Sequence, residues 1–197
     1  MPDSDEPLLT HDEQRVLLHV ARTALETCVR NSEHLDLDRV ESTPAMRENR
    51  ASFVTLRKSN GDLRGCIGST THASPLLVSV RDNAIRSATK DPRFDAVSED
   101  ELPGLSIEIS ALRAGDGPAT PFRRLRSIEE IVIGRDGLYL DFDGKGGGLL
   151  LPQVASVRNW DVDQFLTALC RKSGLAADAW QDSRAVLHRF SAQVFCE

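Results

Sequence analysis

The stretch Leu63-Arg64-Gly65-Cys66-Ile67-Gly68 sets one thiol between two glycines, with an arginine two residues before it. A cysteine becomes a working nucleophile when a nearby cation or helix N-terminus favours the thiolate. On a strand, period two puts Leu63, Gly65 and Ile67 on one face and Arg64, Cys66 and Gly68 on the other. With the leucine and isoleucine turned to the core, Arg64 and the Cys66 thiol point the same way, and Arg64 is the candidate activating cation. Gly65 and Gly68 remove side-chain bulk, so a second backbone, a ligand or a partner can come close. Glu108, on the polar face of another alternating stretch, is the candidate proton carrier if its strand pairs beside this one. His72 falls six residues after Cys66, in an expected loop, and nothing in the sequence fixes it toward the thiol.

The same cysteine has a plainer reading. Free cysteine is among the most buried residue types and packs as a small hydrophobe. Asp91 and Arg93 of Asp91-Pro92-Arg93-Phe94 suit a polar or anionic ligand. They suit a helix stop equally well, with Phe94 anchored in the core, because proline disfavours helix at the residue before it. Gln153, in Leu-Pro-Gln-Val-Ala, has an amide that can hold a ligand or bond back to the chain. The five histidines, at 11, 19, 34, 72 and 188, are scattered, and the four cysteines, at 28, 66, 170 and 196, form no Cys-x-x-Cys pair. No metal centre, cluster or other cofactor is expected from such spacing.

Several elements must position these residues. Thr10-His11-Asp12-Glu13 has capping-box spacing, and Val16, Leu17, Val20, Ala21, Ala24, Leu25 and Cys28 then fall on one helical stripe. Ser52-Phe53-Val54-Thr55-Leu56 reads as a strand, Asn60-Gly61 as a tight turn, and residues 63 to 67 as the returning strand of a hairpin. Ser74-Pro75 reads as an N-cap followed by proline at the first helical position, opening a helix that ends before Asp91. Ser98-Glu99-Asp100-Glu101 opens a short turn before the strand around Glu108. In the second half, Leu138 to Phe142 is a strand, and Gly144 to Gly148 is a hairpin loop. It is no phosphate cradle, since Leu149-Leu150-Leu151-Pro152 follows where Gly-Lys-Ser/Thr should open a helix. Asp161 to Gln164 caps a further helix that Gly174 stops, and residues 185–195 close the chain as a strand.

Bulk properties narrow the function classes. A net charge of −6 and aromatics at 5% argue against a nucleic-acid surface, which wants a basic face interleaved with rings. No apolar run reaches the roughly 20 residues that span a bilayer, and the acidic N-terminus lacks the apolar core of a signal peptide. The expectation is a cytoplasmic protein with reduced thiols and no membrane association.

LRGCIG at 63–68, DPRF at 91–94, GRDGL at 134–138, LLLPQVA at 149–155 and the stretch from Trp160 to Leu175 come in an order that resembles the AMMECR domain family. Its bacterial and archaeal members are called AmmeMemoRadiSam system protein A. The similarity runs from about residue 12 to the C-terminus, and Ser173 stands where members more often have alanine. The resemblance implies an α+β fold, a mixed or antiparallel sheet with flanking helices, in a larger and a smaller lobe with a cleft between them near LRGCIG. On that reading residues 1–9 are a flexible tail and 10–197 a single domain of two interleaved lobes. It also implies company, a Memo-like protein and a radical SAM enzyme, but hands over no catalytic residue. Two functions therefore stand. One is an accessory or binding module that grips a partner or a small polar ligand through Gly65, Gly68, Asp91, Arg93 and Gln153. The other is a small cysteine-dependent enzyme or modification factor using Cys66, Arg64 and Glu108.

Overall fold

A computed structural model describes residues 9–117 and 119–197. In chain order the helices and strands are α1 (His11–Asn31), α2 (Pro44–Arg47), β1 (Ser52–Lys58), β2 (Leu63–Gly68), α3 (Leu76–Thr89) and β3 (Leu105–Leu112). They continue with β4 (Arg123–Arg124), β5 (Gly137–Phe142), β6 (Leu149–Leu150), α4 (Pro152–Val157), α5 (Val162–Lys172), β7 (Ala185–Phe190) and β8 (Ala192–Cys196). The described elements fall into two compact units, residues 9–112 with 193–197, and the described part of 113–192. Of the expected tail, residues 1–8 lie outside the described residues, whereas Leu9 is fully buried in the first core.

The first unit is a four-stranded sheet in the order β2-β1-β3-β8, with β1 antiparallel to both neighbours. Its apolar face, Val54, Leu56, Ile107 and Ile109, meets the stripes of α1 (Leu17, Val20, Leu25) and α3 (Leu76, Val80, Ala84, Ala88) in one core. Burial of each such aliphatic side chain is worth about 1.5–3 kcal/mol. The α1 capping box forms as the spacing predicts: Glu13 N–H donates to Thr10 Oγ1 at 3.3 Å and Thr10 N–H to Glu13 Oε2 at 2.7 Å. Cys28, expected on the buried stripe, is only partly buried.

Two local expectations shift. The β1–β2 connection is a four-residue loop, in which Lys58 N–H bonds Asp62 O at 2.8 Å and only Gly61 has positive φ, at +86°. Asn60 instead accepts Asp62 N–H through its side chain. And α3 opens one residue late, with Pro75 as N-cap. Ser74 cannot cap it because its carbonyl pairs with Arg50 N–H at 3.0 Å while Pro75 bridges Asn49.

The second unit is a sheet in the order β4-β7-β5-β6 whose inner face packs Leu138 and Leu140 against α5 through Phe165, Leu166, Leu169 and Cys170. The glycine run is the expected hairpin loop, pairing Leu138 with Leu150. A short helix, α4, then opens at Pro152, where no helix was expected. The closing strand expected over 185–195 is two strands, β7 and β8, parted at Ser191. Among the described residues no helix is long and apolar enough to cross a membrane.

Candidate functional site

Everything around LRGCIG follows from β2 being an edge strand. The register of β2 on β1 slips between Leu56 and Arg57: Leu56 faces Gly65 and Arg57 faces Leu63, so Arg64 is an extra residue, a bulge. A bulge breaks the alternation that would align Arg64 with Cys66. Gly65 turns to α3, where a Cβ would meet the Ser87 carbonyl oxygen at 2.1 Å, and a Cβ on Gly68 would strike the Phe53 ring at 2.2 Å. The close approach that the glycines allow is thus taken by α3 and by Phe53. Ser87 completes the fit: its hydroxyl donates to Val54 O at 2.7 Å and accepts Ile67 N–H at 2.9 Å, standing between β1 and β2.

On the outer edge, Cys66 is held through its main chain. Its N–H donates to Asp91 Oδ2 at 2.8 Å, and Arg93 Nη2 reaches its carbonyl at 3.4 Å. Asp91 and Arg93 are locked together, Nε to Oδ1 at 2.9 Å and Nη2 to Oδ2 at 2.6 Å. The Asp-Pro-Arg segment therefore closes a sheet edge as a neighbouring strand would. Asp91 is buried, and the Arg93 hydrogen bonds hold its carboxyl at about 2, well below the usual range, with Cys66 N–H helping.

Across the sheet, Cys66 faces Thr55 and Thr55 faces Glu108. The Thr55 hydroxyl donates to Cys66 Sγ at 3.3 Å. Glu108 lies on the expected face but two strands away, roughly 10 Å at ordinary strand spacing. The cation set against Cys66 is Arg93, and Arg64, expected there, is committed elsewhere: its Nε and Nη2 bind Glu101 Oε1 and Oε2 at 2.6 and 2.9 Å. Glu101 also closes the capping box of a 3-10 turn (Glu99–Gly104) with Ser98, and the Arg64 hydrogen bond lowers its carboxyl to about 2. His72 is buried with Nδ1 accepting Ala51 N–H at 2.7 Å, a structural use. Gln153 sits at the second position of α4, in the second unit.

Lys58, Arg64, Pro92, Arg93, Phe94, Asp95 and Glu101 line a depression of about 480 Å³. Phe94 is half-buried at its wall, not in the core, with the Arg64 and Arg93 guanidinium carbons 5.8 and 5.5 Å from its ring centre. Sequence reasoning missed Lys58, Glu101 and Asp95; the Ser98–Glu101 box was the one signal for Glu101. No group of three or more metal-ligating side chains forms among the described residues.

Fold and site together define an α+β protein of two sheet-and-helix units, whose polar depression lies on the edge strand of the first. The AMMECR1 family model matches residues 18–195, and the chain belongs to that family. A Methanothermobacter thermautotrophicus protein is 39% identical over 193 residues, covering 96% of each chain. A Thermococcus onnurineus protein is 40% identical over 189 residues, 92% of this chain and 88% of its own. The crystal structure of uncharacterized protein PH0010 from Pyrococcus horikoshii superposes with a TM-score of 0.88 at 32% identity, covering 97% of this chain and 94% of that one.

Proposed function

We propose that the chain is an accessory binding module that takes hold of its partners, a Memo-like protein and a radical SAM enzyme, through the surface around LRGCIG. One observation carries this reading: two ion pairs at the depression, Arg93 with Asp91 and Arg64 with Glu101, are each pinned by paired hydrogen bonds and held ionised. Asp91 and Glu101 are both lowered to about 2, and Arg93 and Arg64, hydrogen-bonded to them, are raised above their already high values. General acid–base work wants a pKa near the operating pH. Fixed, fully ionised guanidinium–carboxylate pairs serve recognition instead.

The test is co-elution of the full chain with the Memo-like and radical SAM proteins of the same genome, using wild type, Cys66→Ser and Arg93→Ala. The expected result is a complex kept by Cys66→Ser and weakened by Arg93→Ala. Loss of the complex with Cys66→Ser alone, or no complex with wild type, overturns the reading.

A second reading rests on the Thr55 hydroxyl, which offers Cys66 Sγ a hydrogen bond of the kind that favours a thiolate. It predicts that Cys66, with Cys28, Cys170 and Cys196 changed to serine, alkylates with an apparent pKa below the free value of about 8.5. Thr55→Val would then raise that pKa.

A further inference from the structure

We propose that the depression beside β2 binds a carboxylate with a neighbouring amide N–H, the group carried by an N-acylated amino acid or by the last residue of a peptide. The proposal rests on the binding reading above and names its ligand class.

Arg64 is the anchor. It is 6% exposed, its Nε and Nη2 are given to Glu101, and its Nη1 is shielded from solvent with no hydrogen-bond partner among the described residues. A buried cationic donor without an acceptor costs more than a neutral one, so an entering acceptor gains there what it could not gain from a solvated arginine. Arg93 repeats the pattern in the open: Nε and Nη2 are bound to Asp91, and its side chain is 48% exposed. Both guanidinium groups are therefore oriented before any ligand arrives, which lowers the cost of binding. The half-buried Phe94 ring borders both guanidinium groups.

Charge selects the ligand. Lys58, Arg64 and Arg93 are balanced by Asp91, Asp95 and Glu101, so the lining is neutral overall and a dianion such as phosphate costs more to desolvate there than a monoanion does. A single negative charge directed at the guanidinium edges suits such a lining, and Asp95, an exposed carboxylate of the same depression, is the acceptor this proposal gives to the adjacent N–H. Pro92 and Phe94 supply the apolar part of an otherwise polar lining.

The experiment is a titration of the full chain followed by nitrogen-15 NMR at the amides of residues 58, 64–66 and 93–95. The probes are N-acetylglycine, N-acetylglycinamide, triglycine with a free C-terminus and inorganic phosphate. N-acetylglycine or triglycine is expected to shift these amides saturably, with the tighter of the two naming the source, while the amide and phosphate do not. Lys58→Ala, an exposed change, should weaken binding several-fold, and Arg93→Ala about tenfold. Equal shifts from acid and amide, tighter saturation by phosphate, or no saturable shift overturns the proposal. Carboxylate binding without a partner complex would overturn only the accessory reading. A partner complex without carboxylate binding would overturn only this one.

Discussion

At the scale of single residues, Gly65 and Asp91 decide how LRGCIG sits. A side chain at Gly65 has the Ser87 carbonyl 2.1 Å away, a backbone atom that only a shift of α3 can relieve. Gly65→Ala should cost about 3 kcal/mol in urea unfolding, the upper range for overpacking; a loss below half of that would mean that α3 moves freely. Asp91 links the same edge to pH. Its folded pKa, about 2, lies below its ordinary 3.8, so the stability it contributes is complete above pH 4 and is lost as pH falls through 2. At about 1.4 kcal/mol for each unit of displacement, the buried carboxylate contributes about 2 kcal/mol at neutral pH. The stability gap between wild type and Asp91→Asn should therefore narrow between pH 4 and pH 2, and a gap unchanged over that window would remove the ionised pair from the account. The sequence marked Cys66, Asp91 and Arg93 but set Arg64 against the thiol, where the structure sets Arg93. Arg64 and Glu101 are 37 residues apart, and Asp91 and Cys66 are 25 apart, so no local spacing could join them.

At the scale of elements, features closed within a few residues were legible, and features that depend on register were not. The capping boxes of α1, the 3-10 turn and α5 all stand where their Ser/Thr/Asp and Glu/Gln spacing put them. So does the stop at Gly174: φ is +72°, Leu175 N–H bonds Cys170 O at 3.0 Å, and Gly174 N–H bonds Arg171 O at 3.1 Å. Nothing crowds a Cβ there, so Gly174→Ala isolates backbone strain and should lower stability by about 1 kcal/mol. The bulge at Arg64 was hidden because alternation by two is blind to an inserted residue. The shortfall at Ser74 arose because strand-like pairing with residues 49–50 overrode the local cap signal. The Ser87 bridge belongs to the same class: a serine inside a helix pattern gives no hint that it spans two strands. Removing it in Ser87→Ala strands Ile67 N–H and Val54 C=O, and a cost of about 1–3 kcal/mol is expected, with faster amide exchange at Ile67. An Ile67 amide as protected as before would show that the strands close up without the hydroxyl.

At the scale of the whole molecule, the chain order and the compact units disagree in one place. The second unit, residues 113–192, is threaded between β3 and β8 of the first, and a single residue, Ser191, separates β7 from β8. The sequence stretch 185–195 reads as one continuous strand because nothing local marks a change of sheet. What assigns β8 to the first unit is distant in sequence. Gln193 holds Leu9 by two hydrogen bonds, Nε2 to O at 3.0 Å and Oε1 from N–H at 2.8 Å. Glu197 exchanges bonds with Ile107, accepting its N–H at 3.0 Å, and takes the Arg22 guanidinium as well. Leu56→Ala in the first core and Leu169→Ala in the second each open a cavity worth about 2–5 kcal/mol. If the units are the cooperative elements, Leu56→Ala should raise amide exchange at 193–196 together with 52–58 and 105–112. Leu169→Ala should raise it at 137–142 and 185–190 while leaving 193–196 protected. Exchange at 193–196 that instead follows β7 under Leu169→Ala would tie the last strand to its neighbour in sequence, and the Leu9 and Ile107 contacts would then not be what holds it.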